Sequence, residues 1–506
     1  MLFKCDRLPD DPSSLKALVV SQQSELEHLK LVVAKLKRQL FGRRSESLSL
    51  SPDQLALMLQ DEPETAVVPV SEPTPAPDRQ VPVRKPLPNH LPREIEMHAV
   101  DQTDCPSCGG ALHRLGEDIS EVLEYVPARF KVIRHVRPKL TCAGCRTVVQ
   151  AAAPERPIVR GIAGPGLLAH VMVSKYCDHL PLYRQSQIYA REGVDLARST
   201  LADWVADSSQ LLSPLIEVLR RHTLAGRTLH ADDTPVPVLE PGCGRTKTGR
   251  LWTYVRDERP AGSDAAPAVW FAYSPDRKGH HPQRHLRDYQ GAIHADAYAG
   301  FNKLYGDKRY EVACWAHVRR KFYEIHEAHG GDLAGAALNT IGQLYQIETQ
   351  IRGKPPDERK CARQARASPL LESFHRWLQT TLGQVSRKSV LAEAIRYALG
   401  RWAALTRYCD EGSLEIDNNA AERALRCVAL GRKNYLFVGS DTGGERAAAL
   451  YSLLGSATLN GLDPQAYLTH VLERIASYPI NRVDELLPWN VRLSLDDVDS
   501  SQQVAA

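Results

Sequence analysis

Two Cys-x-x-Cys pairs, Cys105-Pro-Ser-Cys108 and Cys142-Ala-Gly-Cys145, constrain this chain more than any other feature. Paired knuckles of this kind make a tetrahedral thiolate site for structural Zn2+, so positions 105 and 145 must meet however the rest folds. The run between them, EVLEYVPARFKVIRHVRPKL, is rich in β-branched and aromatic residues, which predicts strands and a zinc ribbon-like module over 93–155. A redox role for either pair needs a thioredoxin-like βαβ setting, which the sequence lacks. The other cysteines (Cys5, Cys177, Cys243, Cys314, Cys361, Cys409, Cys427) are scattered singly, as suits a reducing compartment.

Upstream, residues 61–92 form a proline-rich linker, since proline removes backbone donors and favours extended geometry. Before it, Leu15, Leu18, Leu26, Leu29, Val33, Leu36 and Leu40 recur at heptad spacing, which predicts a coiled coil within 1–60. That helix either pairs with a second copy of the chain or packs on its own chain. Gly42 is a natural C-terminal cap, and Arg43 and Arg44 after it are candidate phosphate contacts or solvated charge.

A chain of 506 residues exceeds one hydrophobic core, so several domains are expected. With 64 basic against 60 acidic residues, bulk charge neither demands nor excludes nucleic acid. No run of about 18 apolar residues suggests a membrane span, and the start does not read as a secretion signal, so a cytoplasmic protein with no membrane partner is expected.

Past the first knuckle, Arg129, Lys131, Arg134, His135, Arg137 and Lys139 interleave with Phe130, Val132, Ile133 and Val136. This predicts a half-buried hairpin whose basic face, Lys131 and Arg134 included, either grips DNA backbone or faces solvent. Residues 156–225 are helical in pattern, with a break at Gly193 and a second helix opened by Ser199 or Thr200. That is a helix-turn-helix-like outline, in which Ser199 to Asp207 read DNA or merely pack.

After Gly226 five apolar β-type runs follow: TLHAD, RLWTYVRD, AVWFAYS, GAIHAD and RYEVACW. Two end alike, Leu229-His230-Ala231-Asp232 and Ile293-His294-Ala295-Asp296, and the period of two sends each His and Asp to one strand face. If those strands are adjacent, their carboxylates converge as hard-oxygen ligands for magnesium. Glu422, in a helix that Asp417 would cap, is placed to complete the site with Asn418 and Arg426 on its face, or simply to pair with Arg426. His317, Arg319, Arg320 and Lys321 follow the last strand, and Arg423, Arg426, Arg432 and Lys433 flank Glu422; these are candidate DNA contacts or solvated charge. Gly443-Gly444-Glu445-Arg446 reads as a flexible turn with backbone amides open to DNA.

Taken together, FGRRSE, the two knuckles, KYCDHLPLYRQ, HADDTPVPVL, GRLWTYVRD, HADAYAGFNKLY, CWAHVRRKF, IDNNAAERALR, GRKNYLFVGSDTGGERAA and LLPWN span nearly the whole chain. In this order they resemble the insertion sequence 66 family of DDE transposases. The resemblance implies an RNase H-like mixed α/β catalytic core over 226–455 with a helical insertion at about 330–412, and a C-terminal helical tail over 456–506. It makes Asp232, Asp296 and Glu422 the catalytic triad, holding two Mg2+ or Mn2+ ions. The sequence departs from the family's common pattern at Asp233, where Glu is frequent; Asp232 is preferred as ligand because it shares its face with His230.

The expected protein is therefore a multidomain α+β transposase that binds terminal inverted repeats and target as double-stranded DNA. It would act as a homo-oligomer, with small accessory proteins of the same element as possible partners, and would hydrolyse and transfer phosphodiester strands. The alternatives are a zinc-containing DNA-binding regulator without catalysis and an RNase H-like nuclease that cuts without joining.

Overall fold

The computed structural model describes residues 91–99, 104–126, 129–240, 244–296, 298–329 and 332–492, with positions 11, 22, 87, 89 and 242. The coiled-coil reading of 1–60, most of the linker, Arg43 and Arg44 lie outside the described residues. The chain divides into two compact units, the larger comprising Leu87–Cys314, Glu348–Gln364 and Ala403–Ala506.

In the larger unit, β1 (Arg93–Met97), β2 (Leu112–Val126), β3 (Arg129–Cys142) and β4 (Val148–Gln150) form one sheet. The run between the knuckles is a long antiparallel β2–β3 hairpin, with β1 parallel to β3 and β4 antiparallel to it. Leu123, Phe130 and Val132 are buried in the unit's main core. The basic face is ion-paired within the sheet: Lys131 Nζ lies 3.2 Å from Glu94, Arg134 Nη2 3.0 Å from Glu121 and Lys139 Nζ 2.7 Å from Asp118. Opposite charges on neighbouring strands favour this register.

The helices α1 (Pro165–Tyr176), α2 (Leu182–Arg191), α3 (Arg198–Leu211) and α4 (Ser213–Leu224) follow. Gly193, at φ +82°, turns the chain between α2 and α3 in a conformation that suits glycine. Contrary to the expected start at Ser199 or Thr200, α3 begins at Arg198. Burial of Val194 and Leu196, with Ser186 Oγ donating to the Leu196 carbonyl at 2.5 Å, fixes the entry without a side-chain cap. Leu201, Trp204, Val205 and Ser208 are buried, leaving Ser199, Asp203, Asp207 and Gln210 exposed. Two acids on that face are a poor match to phosphate.

All five strands read after Gly226 are present: β5 (Thr228–Leu239), β6 (Thr246–Arg256), β7 (Ala268–Ser274), β8 (Gly291–Ala295) and β9 (Arg309–Ala313), with α5 (His280–His285) before β8. Their order is β7-β6-β5-β8-β9. The pairs β5–β6 and β6–β7 are antiparallel, whereas β5–β8 and β8–β9 are parallel. Gly291 opens β8 at φ +136°, where a Cβ would lie 2.2 Å from the Arg227 carbonyl oxygen, so only glycine lets the two strands meet there.

The chain then runs through α6 (Trp315–His329), α7 (Asp332–Ile351), α8 (Pro356–Ala362), α9 (Ser368–Gln384), α10 (Val390–Leu399) and α11 (Trp402–Thr406). Trp315–Ile347 and Ala365–Trp402 belong to the second unit. Within it Trp315 packs edge-on against Trp402 at 5.8 Å between centroids, beside Phe374.

In the larger unit, α12 (Asn419–Asn434), α13 (Asp441–Leu459) and α14 (Pro464–Arg474) complete the fold. Val236, Val238, Leu251, Val255, Val269 and Phe271 face the main core, which includes residues of α12 to α14, α1 and the β2–β3 hairpin. Leu229, Ala231, Trp252, Tyr254, Trp270 and Ile293 form a second core on the other face. The edge strand β7 is covered by α13, whose Ser456 and Ser452 hydroxyls accept the Val269 and Phe271 amides at 3.0 and 2.8 Å. This satisfies donors that a bare edge would expose. The expected turn at Gly443-Gly444 is instead the first turn of α13, because Ser440 caps it by accepting the Gly443 amide at 3.1 Å. Gly444 serves close packing there, since a Cβ would lie 2.4 Å from the Tyr273 ring.

Candidate active site

The two His-Ala-Asp repeats lie side by side. Parallel pairing of β5 with β8 sets Leu229 opposite Ile293 and His230 opposite His294, so Asp232 on β5 and Asp296, just past the end of β8, leave the sheet at corresponding places. His230 and His294 stack at 4.3 Å between ring centroids, and burial pushes both below the ordinary imidazole range, keeping them neutral.

Asn418 brings the third acid to this face. Fully buried, it donates from Nδ2 to the Ala231 carbonyl at 2.9 Å, and its Oδ1 lies 3.1 Å from His230 Nδ1. Its backbone amide points to Cys314 Sγ at 3.2 Å. Clamped to β5 in this way, Asn418 precedes α12 and sets Glu422 in that helix's first turn. Asp417, expected as the cap, sits one place earlier and accepts the Asn419 amide at 3.1 Å. Arg423 and Arg426 are exposed on α12.

Electrostatics tie the three acids together. Burial, and then the negative charges of Asp296, Asp233 and Glu422, push the Asp232 carboxyl up to about 7, against the opposing effect of the Asp233 amide, which donates to it at 2.7 Å. Asp233 is otherwise engaged: its side chain, 1% exposed, pairs with Arg250 at 2.9 Å and Arg277 at 2.8 Å. Arg277 also lies 4.0 Å from Asp296 Oδ2 and 4.1 Å from the Tyr298 ring centroid. Opposite Asp232 in the β5–β6 register, the Thr253 hydroxyl is buried with no hydrogen-bond partner among the described residues.

A desolvated carboxyl, two further carboxylates near enough to repel it and an orphaned hydroxyl beside it fit hard divalent cations with bound water. Sequence reasoning missed Arg250 on β6 and Arg277 in the loop after β7, which reach Asp233 from distant parts of the chain, and Thr253, which only the β5–β6 register sets opposite Asp232. It also missed Arg359 and Arg363. These buried guanidinium groups hold Glu348, Glu415 and the carbonyls of Tyr408 and Leu414, fixing the segment that leads into α12.

The cysteine knuckles close as expected. Sulfur–sulfur distances are 3.3 Å for Cys105–Cys145, 3.5 Å for Cys108–Cys142 and 3.2 Å for Cys108–Cys145. Four thiolates around zinc at about 2.3 Å would stand about 3.8 Å apart, so the cluster fits that ion with a small expansion. In the first knuckle the Gly109 amide donates to the Cys105 carbonyl at 2.8 Å, with Gly109 at φ +71°. Arg319 and Arg320 lie on α6 in the second unit, where Arg319 sits 5.8 Å from the Tyr323 ring centroid. Among the described residues no helix is long and apolar enough to cross a membrane.

Comparison with known proteins accounts for most of the chain. A model described as Transposase IS66 family matches residues 160–446. The zinc-finger binding domain of transposase IS66 matches 102–146, the IS66 C-terminal element 452–489, and a model described as Transposase C of IS166 homeodomain 28–95. Similar proteins of Sinorhizobium fredii include the uncharacterized protein y4hP, 40% identical over 91% of this chain and 88% of its own length. The uncharacterized protein y4jD is 38% identical over 97% of this chain and 98% of its own length.

Proposed function

Since the chain belongs to the IS66 transposase family, we propose that it binds the terminal inverted repeats of its element and cuts and joins DNA at Asp232, Asp296 and Glu422. The observation that carries this is the parallel β5–β8 pairing, which overlays the two aspartates while Asn418 ties the Glu422 helix to the same strand. The strand order, with three antiparallel strands and then two parallel ones, supports an RNase H-like core. The five-stranded sheet with α12 and α13 would then form the catalytic core within 226–455, and the cysteine module would serve assembly or DNA contact.

Asp232, Asp296 and Glu422 would hold the divalent ions, Mg2+ or Mn2+. When bound, these ions activate the attacking oxygen and stabilise the leaving one. The residues themselves do the positioning. Arg250 and Arg277 take up Asp233, so Asp232 alone of the adjacent pair faces the site. Arg277 spans Asp233 and Asp296 and steadies the second acid. Neutral His230 and His294 fill the space beneath the carboxylates without adding charge. Water attacks first and frees a 3′-hydroxyl at the element's end; that hydroxyl then attacks target DNA.

The reading is tested by incubating the full chain with a labelled end duplex and a target plasmid in Mg2+, Mn2+ or EDTA. Metal-dependent joined product supports it. Nicked product that never joins points to a nuclease, and binding without nicking points to a regulator.

A further inference from the structure

Among the described residues, Glu96, His98 and His135 converge away from the acidic cluster and the cysteine knuckles. Glu96 and His98 stand two residues apart, so the period of β1 puts them on one face. Parallel pairing sets Glu96 opposite His135 on β3, and the His98 amide extends that ladder by donating to the Val136 carbonyl at 3.1 Å. All three side chains therefore share one side of the sheet.

His98 Nε2 lies 2.9 Å from His135 Nδ1, Glu96 Oε2 lies 3.3 Å from His135 Nδ1, and Glu96 Oε2 lies 3.9 Å from His98 Nε2. Nitrogen and oxygen ligands at about 2.0–2.2 Å from a tetrahedral ion stand about 3.3 Å apart, close to the middle of that triangle. His135 is 8% exposed, which fixes one ligand in the sheet, while Glu96 and His98 are open enough to admit an ion. The position is well separated from the four sulfurs. His135 and Cys142 are seven residues apart on the continuous strand β3, a distance of about 23 Å at about 3.3 Å per residue.

We propose that Glu96, His98 and His135 form a second metal site, which takes a first-row divalent ion. Two imidazoles and a carboxylate select zinc or its neighbours over magnesium, and three protein ligands leave one position for water or an anionic oxygen. The ion would link β1, a short edge strand, to the long hairpin and so tie the chain entering from the linker to the cysteine module.

The test counts metal on the full chain, freed of any histidine tag and equilibrated with a small excess of zinc. Excess magnesium is present throughout to occupy carboxylate sites. Glu96→Gln and His98→Ala, both at partly exposed positions, should each bind one zinc ion fewer per chain than wild type, and Cys108→Ser should lose the other. Cobalt separates these two sites, because the four-cysteine site gives thiolate charge-transfer absorption and the site of Glu96, His98 and His135 does not. That absorption should persist unchanged in His98→Ala while one cobalt is lost, which also reports an intact module. Equal metal content in wild type, Glu96→Gln and His98→Ala would overturn the proposal.

Discussion

Replacing Asp232 by Asn should stabilise the metal-free protein while removing the proposed metal-dependent cleavage. The carboxyl is raised from 3.8 to about 7 by burial and by Asp296, Asp233 and Glu422. The folded chain therefore holds a proton there that the unfolded chain has released, and stability from this group falls as pH rises from about 4 through 7. At about 1.36 kcal/mol per pH unit the penalty above pH 7 reaches about 4 kcal/mol, and partial hydration of the cleft brings it to about 2. Asn keeps the Oδ1 that accepts the Asp233 amide at 2.7 Å, so the substitution removes charge and little else. Thermal unfolding in EDTA at pH 8 should place Asp232→Asn several degrees above wild type, with the gap closing near pH 4. Magnesium should then raise the wild-type midpoint and leave the variant's unchanged. A variant no more stable than wild type in EDTA at pH 8 would refute the electrostatic reasoning.

Other outcomes follow from the same geometry. Asn418→Ala removes the clamp on Ala231 and leaves a buried carbonyl unpaired, at a cost of about 2–3 kcal/mol; urea unfolding reads the loss, and cutting should fall most at limiting metal. Arg250→Ala leaves Asp233, 1% exposed, with one guanidinium in place of two and should cost about 3 kcal/mol, partly recovered in the double variant with Asp233→Asn. Gly291→Ala, at φ +136° with 2.2 Å to the Arg227 carbonyl, should cost at least about 2 kcal/mol, seen as a lowered midpoint. His230 and His294 are held neutral by burial, so the unfolded chain gains protons there as pH falls below about 6.5. In the Asp232→Asn background, the urea midpoint should therefore drop between pH 7.5 and 5.5, and a flat profile would contradict this.

The sequence carried the strands and the cysteine knuckles because their signals are local. A strand declares itself in a run such as AVWFAYS, and Cys-x-x-Cys spacing needs no partner to be read. Even the face of Asp232 was legible, since period two ties it to His230. What escaped was set across strands. Nothing near Asp233 announces that Arg250 and Arg277 will neutralise it, and nothing near Lys131 or Arg134 announces that Glu94 and Glu121 will pair with them. Gly443-Gly444 read as a loop because glycine is usually punctuation, whereas α13 uses Gly444 to approach Tyr273. The start of α3 was misplaced because burial of Val194 and Leu196, not a hydroxyl cap, sets it.

In the proposed function, Asp232 and Asp296 at the sheet and Glu422 on α12 form a single metal-dependent centre acting on DNA. Single-turnover cleavage of a labelled end duplex, measured in Mn2+ for wild type, Asp232→Asn, Asp296→Asn and Glu422→Gln, tests it most directly. Cleavage by wild type that vanishes in EDTA and in each variant, with duplex binding retained, is the expected result. A variant that still cuts at the wild-type rate would remove that residue from the centre, and wild-type cleavage in EDTA would contradict the account altogether.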